Sequence, residues 1–146
     1  MNNSQNLLSE IHSHFSHEER DVRSYSALTL AYLGDAVFEI IIRTLIVEST
    51  KGPVKNLHKR TSELVNAASQ AELVSSIQDL LTEEELRAYR HGRNAKTSSV
   101  AKHADIHDYR NATGLEALFG YLFLTGQSGR AIELVKLGFK KLHIFI

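Results

Sequence analysis

The chain has no cysteine, a single proline and only eight glycines among its 146 residues. Without cysteine there is no disulfide framework, no thiolate nucleophile and no zinc site built on sulfur. Alternation of apolar and polar residues, the mark of half-buried strands, is almost absent as well. Apolar residues recur at spacings of three and four instead, which predicts an all-α fold. No HExxH, Walker loop, GxSxG or GxGxxG occurs, so zincin, P-loop, hydrolase-elbow and dinucleotide chemistries have no support. Nothing at Met1 reads as a basic segment followed by a signal-type apolar core.

Net charge is absent too, with 17 basic and 17 acidic residues, but the charges are unevenly placed. Between Arg87 and Lys102 lie Arg87, Arg90, Arg93, Lys96 and Lys102, with no acid before Asp105. Acids gather elsewhere, as in Glu83-Glu84-Glu85, so a neutral total conceals a polarised surface. Residues 27–47 are long and apolar enough to raise the question of a membrane span. Asp35, Glu39 and Arg43 interrupt them and are costly in hydrocarbon, so a buried core helix and a cytoplasmic protein are expected.

The length fits one domain. Helices are expected over residues 5–14, 24–48 and 54–67, with Gly52-Pro53 as the first firm break. A fourth begins near Ser69, where Ser69-Gln70-Ala71-Glu72 has capping-box spacing, and Thr82-Glu83-Glu84-Glu85 offers the same signature for a fifth, lasting to about His91. Residues 93–106 read as an irregular basic connector, of a length that is usually functional or disordered. A sixth helix is expected over 108–125, and a seventh after Gly126-Gln127-Ser128-Gly129, ending near Leu142.

Two segments carry the chemistry. Leu30-Ala31-Tyr32-Leu33-Gly34-Asp35-Ala36-Val37-Phe38-Glu39 places an acid inside an apolar helix, directly after a glycine. Thr113-Gly114-Leu115-Glu116-Ala117-Leu118-Phe119-Gly120-Tyr121 repeats the arrangement. Buried carboxylates need a partner. Glycines that let two helices approach closely would bring Asp35 and Glu116 to a shared cation, and carboxylate oxygens suit magnesium or manganese. A structural aspartate paired with histidine or arginine is the alternative for Asp35. Glu39 either joins the site or simply faces solvent or pairs with Arg43, four residues on.

Arg90-His91-Gly92-Arg93-Asn94-Ala95-Lys96-Thr97-Ser98-Ser99 mixes cations, hydroxyls and a glycine, which suits contacts to phosphate and 2′-hydroxyl groups; a solvated basic loop is the alternative. Lys55-Asn56-Leu57-His58-Lys59-Arg60 would extend that surface. Aromatics are scarce in both, so duplex-backbone recognition fits better than base stacking.

These residues resemble a known family. Leu33-Gly34-Asp35-Ala36-Val37 is similar to the signature of the ribonuclease III catalytic domain, and Glu116-Ala117-Leu118-Phe119-Gly120 to its second acidic helix. Arg90-His91-Gly92-Arg93-Asn94-Ala95-Lys96 and Leu57-His58-Lys59 resemble the compact branch, Mini-ribonuclease III, as does the lack of a double-stranded-RNA-binding domain after Leu142. The similarity runs from about Leu28 to the C-terminus, leaving residues 1–23 as an N-terminal extension to a catalytic domain over 24–146.

The resemblance implies an all-α homodimer of about seven helices per chain that cuts double-stranded RNA with Mg2+, Mn2+ being a substitute. It further implies a role in maturing the ends of precursor large-subunit (23S) ribosomal RNA; no membrane association is expected, given the charges that interrupt residues 27–47. Asp35 and Glu116 would be the catalytic metal ligands. Lys55, His58, Lys59, Arg90, Arg93, Asn94 and Lys96 would hold RNA. The ribonuclease III pattern has two further acids where this chain has Ala31 and Thr113, which leaves the number of ions open. The Thr113 hydroxyl would instead orient the attacking water, with Glu39 also near the site and Asp105 or Asp108 approaching from the connector. Tyr32, Phe38 and Ile42 are candidates for the dimer interface or equally for the core. A non-catalytic double-stranded-RNA-binding protein of the same fold, or a helical protein-interaction module, are the competing readings.

Overall fold

The computed structural model describes residues 7–15, 20–96 and 105–146. Among them are seven α-helices, two 3-10 turns and no strand, as the periodicity predicts. The α-helices are α1 (Leu7–His14), α2 (Ala27–Ser49), α3 (Val54–Val65), α4 (Ala67–Ile77), α5 (Glu83–Arg93), α6 (Ile106–Leu124) and α7 (Ser128–Lys141). No helix among the described residues is long and apolar enough to cross a membrane.

Side-chain caps set most boundaries. The Ser26 hydroxyl accepts from Thr29 N at 3.1 Å, so α2 starts three residues later than expected; Asp21 caps the separate turn Val22–Ser24 just before it. Thr82 and Glu85 form the expected capping box, with Thr82 N donating to Glu85 Oε1 at 2.9 Å and Glu85 N to Thr82 Oγ1 at 3.2 Å. The box expected at Ser69 does not form. Asn66 caps α4 instead, accepting from Ser69 N at 2.9 Å. Its Nδ2 meanwhile donates to the carbonyls of Ser62 and Glu63, so one residue closes α3 and opens α4. Of the expected connector, Arg93 is still helical, residues 94–96 and 105 are described, and 97–104 lie outside the described residues.

Helix α6 is the central element, buried on most of its circumference and flanked by α2, α5 and α4. Phe38 of α2 meets Phe119 of α6 edge to face, with ring centroids 5.7 Å apart, inside a core that includes Ile42, Ile46, Val74, Ile77, Leu118 and Leu134. Phe38 and Ile42 are therefore monomer core, whereas Tyr32 is 83% exposed. Helix α7 is tied to α5 by a largely buried ion pair: Arg130 donates to both Glu85 oxygens, at 2.9 and 3.0 Å, and to the Leu80 carbonyl. Burial alone would raise the Glu85 carboxyl, but the Arg130 and Thr82 hydrogen bonds outweigh it and hold its pKa below the usual value.

Candidate active site

Glycine inside a helix costs about 1 kcal/mol relative to alanine, so Gly34 and Gly120 need a reason. The reason is contact between backbones. A Cβ on Gly34 would lie 1.6 Å from the Glu116 carbonyl oxygen and 2.7 Å from Gly120 N, and one on Gly120 would lie 2.0 Å from the Leu30 oxygen. Helices α2 and α6 thus cross main chain against main chain. Asp35 follows Gly34 directly and Glu116 touches it, so the crossing brings the two carboxyl groups within hydrogen-bonding reach.

The two acids differ in environment. Asp35 is exposed and Glu116 half-buried, so the burial expected of both acids fails for Asp35 and holds only in part for Glu116. Burial, the hydrogen bond to Asp35 and the Asp35 charge together push the Glu116 carboxyl up to about 8. The Glu39 charge pushes the same way, although its carboxylate is engaged by Arg43, whose Nε and Nη2 donate to Oε1 at 3.1 and 2.9 Å. Glu39 therefore both pairs with Arg43 and is felt in the site.

Against these influences, the Gln70 side chain on α4 favours ionised Glu116. Gln70 is buried, and its Nε2 is close enough to act on Glu116 electrostatically but makes no hydrogen bond of ordinary geometry. Gln70 was not foreseen beside the two acids. Its signal was a lone amide in register with the buried Val74 and Ile77, at spacings of four and seven on a core-facing stripe.

The donor set fits a hard divalent cation. Two carboxylates held in mutual contact, one of them destabilised as an anion, are relieved by a cation between them, and all their donor atoms are oxygen. No cluster of three or more histidine and acidic residues suited to a metal exists among the described residues. Thr113 is buried and its hydroxyl donates to the Tyr109 carbonyl at 3.0 Å. Asp105 caps α6, accepting from His107 N at 2.7 Å, which commits its carboxylate to that helix end.

The basic residues form two patches. Lys55, His58 and Lys59 are exposed on α3. Arg90 and Asn94 line a groove of about 800 Å³ together with Arg23, Arg87, His91 and Tyr121, a set that contains neither Asp35 nor Glu116. Arg93 is half-buried, its guanidinium 5.4 Å from the centre of the Tyr89 ring, and Lys96 is exposed. Arg23, which comes from the turn before α2, was not foreseen as part of this surface. A second groove of about 740 Å³, between α2, α7 and the C-terminal residues, is apolar and holds no acid.

Residues 28–127, which include the crossing, both acids and, Arg23 apart, both basic patches, match the family model of the ribonuclease III domain. The chain belongs to the ribonuclease III family. The Mini-ribonuclease 3 of Clostridium tetani is 44% identical over 120 residues, covering 82% of this chain and 80% of the relative. That of Thermoanaerobacter sp. is 47% identical over 116 residues, covering 80% and 82%. Protein FN1578 from Fusobacterium nucleatum, known as a crystal structure, superposes with a TM-score of 0.73 at 30% identity, over 84% of this chain and 98% of that one. The protein is accordingly a ribonuclease III-type endoribonuclease, a hydrolase of RNA phosphodiester bonds.

Proposed function

We propose that Asp35 and Glu116 hold a divalent cation, Mg2+ with Mn2+ able to replace it, and that the enzyme cleaves double-stranded RNA. The observation that carries this reading is the Gly34–Gly120 crossing, which sets two carboxyl groups side by side at a half-open surface. A divalent ion held there supplies Lewis acidity, lowering the pKa of water and offsetting charge on the scissile phosphate. Asp35, being exposed, is the ligand that meets the RNA backbone, and Glu116 anchors the site from α6. Water adds to phosphorus and the ribose 3′-oxygen leaves, giving a 5′-phosphate and a 3′-hydroxyl. Arg90, Arg93, Asn94 and Lys96, with Lys55, His58 and Lys59 on α3, position the duplex through its phosphates rather than choosing a sequence.

The enzyme works as a homodimer in the cytoplasm, with precursor 23S ribosomal RNA as substrate. The unit that does so spans residues 24–146, with 1–23 as an extension. On α2, Leu28, Tyr32, Ile40 and Val47 are exposed large apolar residues, and Leu28 and Tyr32, four residues apart, share one helix face. A two-fold interface that uses the exposed Tyr32 would give one carboxylate site per chain, one for each strand of a duplex.

The test is incubation of the purified full chain with long duplex RNA, in Mg2+ or in chelator. Cleavage that requires the metal and is lost in Asp35→Asn and Glu116→Gln is expected. Duplex binding without cleavage by the wild type would overturn the reading.

A further inference from the structure

We infer that Gln70 is a positioning residue for the carboxylate site: its buried Nε2 donates to the Glu116 carboxylate and fixes which Glu116 oxygen faces the cation. The inference rests on the metal reading proposed above.

Gln70 Nε2 is the sole buried side-chain nitrogen or oxygen among the described residues that lacks a hydrogen-bond partner, and the residue is 4% exposed. An unpaired amide in that setting costs desolvation energy that a methionine or leucine of similar size would avoid. Its stripe-mates Val74 and Ile77 are fully buried core, so an apolar residue would suit the helix better. The amide therefore answers a need at the end of the side chain. The site group within its reach is the Glu116 side chain on α6, the helix that α4 packs against.

An amide nitrogen has donors and no lone pair, so Nε2 is not itself a ligand. A carboxylate offers about four lone-pair directions, and with one oxygen turned to Asp35 and a cation the other still accepts from α4. The terminal torsion of a glutamate is broad, so a modest rotation of Glu116 closes the bond without moving a helix. Asp35 and Glu116 come from a rigid crossing, but the Glu116 side chain is long. A donor on a third helix restricts it to one orientation, as outer-shell partners do at other metal sites.

Mn2+ binding to the full chain without RNA, followed by electron paramagnetic resonance of the free ion, tests this directly. Wild type binds, Asp35→Asn does not, and Gln70→Leu and Gln70→Met bind at least about 10-fold more weakly. In the same variants the unfolding midpoint in chelator is unchanged or raised, and duplex affinity in chelator is unchanged, which separates positioning from folding. Equal Mn2+ affinity in wild type and folded Gln70 variants overturns the role of Gln70 alone. Absence of Mn2+ binding by the wild type overturns the metal reading and this inference together. A measurement on the wild type needs no variant to fold: the Gln70 side-chain amide resonance shifts on adding Mg2+, and an unmoved resonance in the metal-bound protein refutes the contact.

Discussion

Gly34 lies against the backbone oxygen of Glu116 so closely that an added Cβ would sit 1.6 Å away, and the neighbour of one acid is thus in contact with the other acid itself. The main-chain positions of the two acids are therefore set by contact between peptide planes, and only their side chains remain to be oriented.

Replacing either crossing glycine should separate the helices. Gly34→Ala and Gly120→Ala are expected to destabilise the chain by roughly 3 kcal/mol or more, the upper range for forced overpacking, because the obstacle is backbone. Gly129→Ala in α7, with nothing within 4 Å of its Cβ position, serves as the control and should be neutral or slightly stabilising. Urea unfolding of the three variants checks the contrast.

The raised Glu116 pKa has a signed consequence. Between its ordinary value of 4.5 and about 8, the folded chain keeps a proton that the unfolded chain has released. Stability from this group therefore falls as pH rises through that window. In chelator, the unfolding free energy of the wild type should decline relative to Glu116→Gln over the same range. A divalent ion at 100 times its Kd should add about 2.7 kcal/mol at the upper end, and Asp35→Asn should gain nothing. Denaturant titrations at several pH values, with and without Mg2+, measure both effects.

Arg90 lines the basic groove but is separate from the carboxylates, so its loss should weaken binding without changing the chemical step. Arg90→Ala is expected to lower the slope of log affinity against log salt by about 1, one phosphate contact, for duplex RNA held uncleaved in chelator. Single-turnover cleavage at saturating enzyme should be unaffected. Fluorescence anisotropy across a salt series reads the slope.

Tyr32 projects from α2 with 83% of its surface exposed, on the face proposed to meet a second chain. Tyr32→Glu puts a charge into that interface and should shift the protein from dimer to monomer in sedimentation, leaving the monomer folded because Tyr32 takes no part in the core. Cleavage of both strands should become uncoupled.

Much of the fold could be read directly. Spacings of three and four marked every helix, and Thr82-Glu83-Glu84-Glu85 announced α5 because both halves of its cap lie within four residues. The boundary at Ser69 misled because Asn66 competes for the same amide, and which of two local caps wins depends on how α3 and α4 meet. Asp35 and Glu116 stood out as acids beside glycines, yet their exposures could not be ranked, since that depends on which neighbours cover them. Gln70 stayed hidden because a lone amide on a core stripe has no pattern of its own.

Local chemistry, written in the order of residues, determined that the chain is helical, where its acids sit and that glycines stand beside them. Periodicity and capping act over a few positions and need no distant partner. Only the tertiary structure decided that Gly34 meets Glu116, that Glu116 rather than Asp35 is the covered acid, and that Gln70 approaches Glu116 from a third helix. Those relations join residues some 35 to 80 positions apart, and packing between helices is the force that selects them.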